Sequence, residues 1–156
     1  MAVARSADPA WALANGAWEA LLRAHTGLLR RFAAAPVWGE LSMGDYDVLY
    51  TLAKAGGTAP VGALERGVLL SQPGLSRLVD RLVARGWLAK APNPADGRSV
   101  LVSLTAEGRA AQRRAGRAHG DHVAQVVRER LTAEEQAALR GLCAKLAGDG
   151  PAAQAE

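Results

Sequence analysis

Residues 69–108 read LLSQPGLSRLVDRLVARGWLAKAPNPADGRSVLVSLTAEG, and the backbone preference changes twice along them. Ser71 is a good N-cap, and Pro73 falls in the first helical turn, where its missing N–H costs little. Leu75, Leu78, Val79, Leu82 and Val83 then recur at helical spacing, and Gly86 is placed to end the helix. At about 100° per residue the opposite face carries Pro73, Ser76, Arg77, Asp80 and Arg81, with Gln72 at its edge. Small hydrogen-bonding groups at the N-terminal end and arginines further along suit a groove. Trp87 to Ala91 reads as a short strand, Asn93-Pro94 and Asp96-Gly97 as turn chemistry, and Ser99 to Leu104 as the returning strand. The order helix, hairpin, helix start leaves Arg98 on a hairpin tip.

The flanks are helical. Asp8-Pro9 caps a long amphipathic helix in which Trp11, Trp18, Leu21, Leu22, His25, Leu28, Leu29 and Phe32 share a face, ending before Pro36. Ser42 and Asp45 open a second helix, with Tyr46, Leu49 and Leu52 as its buried stripe, and Gly56-Gly57 stops it. A short third helix follows Pro60 with Val61, Leu64 and Val68. Thr105 caps a fifth helix running to about Arg130, and Thr132 to Glu135 is a capping box for a sixth ending near Leu146. There Leu139, Leu142, Cys143 and Leu146 have the spacing of a buried face, so the lone cysteine reads as a small core hydrophobe. The expected fold is mainly α with a small β-hairpin wing: a winged helix-turn-helix over about residues 42–104. The helices over 8–35 and 105–147 carry apolar stripes that one chain has nowhere to bury, which calls for a partner subunit. The whole of 1–156 reads as a single domain, with 148–156 a disordered tail.

Composition narrows the partners. Apolar residues make up 49% and charged residues 22%, ordinary for a globular chain. No apolar run approaches the roughly 20 residues of a membrane span, and the N-terminus lacks a basic-then-apolar signal. A cytoplasmic protein with no membrane partner is expected. Between Arg66 and Arg98 stand six cations against Asp80 and Asp96, so this segment alone matches the formal net charge of +4. Such clustering points to a polyanion.

The run from Leu75 to Arg109, with LSMGDYDVLYTL at residues 41–52, resembles the multiple antibiotic resistance regulator (MarR) family of bacterial transcription factors. It matches the family's recognition helix, Asp-x-Arg wing and Leu-Thr-x-x-Gly helix start, and the likeness extends over about residues 10–146. One departure is Gly97, where many members carry a second basic residue; it implies a more mobile tip with fewer phosphate contacts. The resemblance implies a homodimer whose two recognition helices enter successive major grooves of a pseudo-palindromic operator. Ser71, Gln72, Pro73, Ser76, Arg77 and Arg81 then stand where base edges and phosphates are met. Arg98 is placed for the narrow minor groove, with Asp96 to brace it and Asn93 at the base of the wing.

The family also implies a sensing cleft for small organic anions or phenols between the dimer and DNA-binding lobes. Trp18, His25, Trp38, Met43, Tyr46 and His122 are the candidates here. Three of them have a plainer role: core packing for Trp18 and Tyr46, and for His25 a histidine satisfied by a neighbouring backbone carbonyl or across the dimer interface. His119 and His122 at i, i+3 could join a metal site, but two ligands do not make one and no cofactor is implied. No nucleophile elbow, phosphate-cradling glycine loop or HExxH helix is present, so an enzyme is not expected. The reading is a repressor released by a small aromatic or phenolic ligand. The alternatives are a constitutive architectural DNA-binding protein or a metal-responsive regulator, and, further off, a small-molecule carrier.

Overall fold

The computed structural model describes residues 8–64, 72–96 and 99–148, with the backbone alone at Gln72 and Pro73. The Ser71 cap, Val68, Gly97, Arg98 and the tail beyond Gly148 lie outside the described residues.

Among the described residues, six helices and three strands follow in order: α1 (Pro9–Ala33), α2 (Met43–Lys54), β1 (Thr58–Pro60), α3 (Val61–Leu64), α4 (Gln72–Ala84), β2 (Leu88–Pro92), β3 (Val100–Leu104), α5 (Ala106–Arg128) and α6 (Ala133–Ala147). The caps explain several of these boundaries. The Asp8 carboxylate accepts from the Ala10 amide, and Ser42–Asp45 and Thr132–Glu135 each close a reciprocal capping box. Gly86 takes φ +75°, the left-handed turn that ends α4 and lets the chain enter β2.

The sheet is larger than the expected hairpin. β1, β3 and β2 form an antiparallel sheet in that order, with Ala59 opposite Val102 and Lys90 opposite Val102 on its other side. β1 has three residues and ends in proline, too short for any alternation to register in sequence. Both hairpin strands begin one residue later than expected, at Leu88 and Val100.

One core lies beneath the sheet. Val48, Leu49 and Leu52 of α2, Leu64 of α3, and Leu75, Val79 and Leu82 of α4 meet Leu88, Val102, Ala111 and Ala115 there. The start of α5 is pressed against the turn before β2. The Thr105 hydroxyl donates to the Gly86 carbonyl at 2.8 Å and accepts from the Gly108 amide at 3.0 Å. A Cβ on Gly108 would stand 2.0 Å from the Trp87 carbonyl oxygen. That contact gives the Leu-Thr-x-x-Gly motif its physical reason: only glycine lets the helix come this close.

α1 and α6 contribute no buried residue. The expected burial of Leu139, Leu142, Cys143 and Leu146 does not occur within the chain; all four are exposed, Leu146 at 75%. The stripe is real, but among the described residues nothing covers it.

Candidate nucleic-acid interface

The apolar stripe of α4 fixes which side faces outward. With Leu75, Leu78, Val79 and Leu82 held in the core, Ser76, Arg77, Asp80 and Arg81 are exposed on the opposite side. The side chains of Gln72 and Pro73, with Ser71 and Arg98, lie outside what the structure describes. Ion pairs link this helix to α2 and to β2. Arg81 donates to the Asp45 carboxylate at 2.5 Å, and Lys90 on β2 pairs with Asp80.

Asp45 is only 3% exposed and serves two elements. It accepts from the Ser42 amide and hydroxyl, each at 2.8 Å, as well as from Arg81. Burial alone would raise its pKa, but the bonds from Arg81 and Ser42 outweigh that and hold the carboxyl below its ordinary value. Arg81, read from sequence as a DNA contact, therefore has an intrachain partner that ties α4 to the capping box of α2.

The base of the wing is internally bonded. Asn93 Nδ2 donates to Ser99 Oγ at 2.7 Å, and Asn93 Oδ1 accepts from the Ala95 amide at 3.1 Å. The Asp96 carbonyl accepts from the Ser99 amide at 3.0 Å. Asn93, also a candidate contact, is thus the residue that shapes the turn.

A cleft of about 390 Å³ opens between α1, α2 and α5, lined by Leu29, Phe32, Trp38, Met43, Gly44, Tyr46, Asp47 and His119. Three of the six sequence candidates are therefore together: Trp38, Met43 and Tyr46. Trp18 and His25 are not among them. Both sit on exposed turns of α1, Trp18 at 58%, because the helix extends well beyond the part that meets the core. His122 stands one turn further along α5, its ring edge-on to Phe32 at 5.8 Å. His119, in sequence a candidate only for a metal site, lines the cleft, 4.7 Å from Trp38 and 5.3 Å from Phe32 between ring centroids. Its pKa is lowered by burial and then by His122, both of which favour the neutral imidazole. His119 Nδ1 and His122 Nε2 are buried with no hydrogen-bond partner among the described residues. Trp38 is fixed by donating its indole N–H to the Phe32 carbonyl at 2.8 Å.

Residues 41–99 match the MarR family, the span that holds α2, β1, α3, α4 and β2. The multiple antibiotic resistance protein MarR of Salmonella typhimurium is 34% identical over 107 residues, 69% of this chain and 74% of that protein. A MarR family transcriptional regulator from Streptomyces coelicolor, solved in complex with DNA, superposes with a TM-score of 0.73 at 26% identity, covering 90% of each chain. The PcaV transcriptional regulator from Streptomyces coelicolor, solved with its natural ligand, is 29% identical with a TM-score of 0.62 over 94% of this chain and 96% of that one. The exposed face of α4 beside a β2–β3 wing, carried on a core with these relatives, identifies the chain as a member of the MarR family: a transcriptional regulator with a DNA-binding winged helix.

Proposed function

We propose that the protein acts as a homodimeric repressor, bound to a pseudo-palindromic operator and released when a small aromatic ligand enters the cleft between α1, α2 and α5. The observation that carries this reading is a single polar face on α4, with Ser76 and Arg77 exposed, set on the same core as an aromatic-walled cleft. Ser76 and Arg77 are suited to base edges, and Arg98 on the wing to the flanking minor groove. The exposed apolar residues of α1 and α6, Trp11, Trp18, Leu22, Leu139, Leu142 and Leu146, supply a surface for a second copy. Tyr46 and Met43 stand on the helix that Asp45 and Arg81 join to α4, so a molecule seated in the cleft presses on the element that positions the DNA-reading helix. The comparison protein solved with its natural ligand supports ligand control in a chain of this fold.

The test is fluorescence anisotropy on DNA from upstream of the protein's own gene, titrated with a panel of small aromatic compounds. Release at a concentration that leaves the helical signal intact is expected. Binding that no aromatic compound changes would contradict ligand control and favour a constitutive architectural role.

A further inference from the structure

The charge of the cleft narrows what it can take. Phe32, Trp38 and Tyr46 supply ring faces, Trp38 and Tyr46 lying 5.4 Å apart between centroids at an interplanar angle of 43°. Neither lysine nor arginine is among the described residues lining it. The one charged side chain there is Asp47, half-buried and without a hydrogen bond or ion pair among the described residues. Burial pushes its carboxyl pKa up, the sign of a charge whose hydration has been reduced with nothing put in its place. The imidazole of His119 in the same cleft offers little compensation, since burial and His122 both disfavour its charged form. An organic anion entering this cleft would lose its own water and meet a second negative charge. A cation would gain the carboxylate and the negative faces of the rings together, and both attractions grow as water leaves.

We propose that the cleft selects an aromatic organic cation, an aryl amine or quaternary ammonium, seated with its charge against the Asp47 carboxylate and its ring among Trp38, Tyr46 and Phe32. The proposal rests on the ligand reading above and adds the sign of the ligand's charge.

Calorimetric titration of the full chain at neutral pH with benzyltrimethylammonium, phenol and salicylate tests this. The cation is expected to bind at least tenfold more tightly than either of the others. Asp47→Asn, nearly identical in shape, should remove that advantage and leave phenol unaffected, while Asp47→Glu should retain part of it. Because the Asp47 pKa is raised, cation affinity should begin to fall on acidification at a higher pH than for an ordinary carboxylate. Salicylate or phenol binding the wild type more tightly than the cation would overturn the charge assignment and leave the cleft a ligand site. Cation affinity unchanged in Asp47→Asn would also overturn it. A wild-type protein that takes up none of the three at millimolar concentration would overturn both readings.

Discussion

Gly108 shows how one residue's identity follows from a contact made far away in sequence. In an exposed helix, glycine to alanine gains about 1 kcal/mol from reduced backbone entropy. Here the added methyl would overlap the Trp87 carbonyl at 2.0 Å, and backbone cannot move aside without breaking the Thr105 bonds beside it. We expect Gly108→Ala to lose about 2–4 kcal/mol and to lower Tm by several degrees in a thermal melt, against the propensity trend. Asp45 makes a second prediction at this scale. Its folded pKa lies below the unfolded value near 3.8, so its stabilisation is complete above that value and lost as pH falls through the folded pKa. Acid titration followed by circular dichroism should therefore show Asp45→Asn already destabilised at neutral pH, with a flatter loss below pH 4. About 1–3 kcal/mol is expected, less than for a fully buried pair because the Arg81 side chain is half in solvent. Ser42 and Asp45 were legible as a capping box, since that motif is local. The bond from Arg81 was not, because it joins residues 36 apart in sequence.

Among the elements, the helices were legible and the sheet only in part. Period and caps announce α1, α2, α4, α5 and α6 within a few residues of their observed ends. β1 is hidden by its three residues and by a proline that reads as a helix start. The cleft lies between these outcomes. Trp38, Met43 and Tyr46, three of the six candidates that the family resemblance implies, line it together. Asp47 and His119 were missed because their place in the cleft depends on how α5 crosses α2. The α4–wing unit makes its own prediction. Arg77→Ala should weaken operator binding by about 1–3 kcal/mol and random-sequence binding by less, if it reads a base edge. Arg98→Ala should instead lower affinity on every duplex and flatten the slope of log K against log salt by about one per subunit. Titrations of both variants on both DNAs at several salt concentrations separate the two roles. An Arg98→Ala protein with wild-type affinity and slope would return the wing tip to an ordinary solvated turn.

For the whole molecule the decisive feature is surface that one chain leaves uncovered. The exposure of Leu142, Leu146, Trp11 and Trp18 contrasts with a core in which Leu49, Leu52, Leu75 and Leu82 are completely buried. Burying a leucine is worth about 1.5–3 kcal/mol, and a two-fold interface counts each residue twice, so Leu142→Asp should cost a dimer about 3–6 kcal/mol or more. Sedimentation should show the wild type as a dimer at low micromolar concentration and Leu142→Asp shifted towards monomer with its helical signal intact. A monomeric wild type would leave α1 and α6 without a role. The most direct test of the account is selection of bound duplexes from a random library, followed by native mass measurement of the selected complex. Two chains on an inverted repeat, with half-sites about 10–10.5 base pairs apart, are predicted. One chain per duplex, or enrichment without an inverted repeat, would contradict a dimer that reads two successive grooves with paired α4 helices.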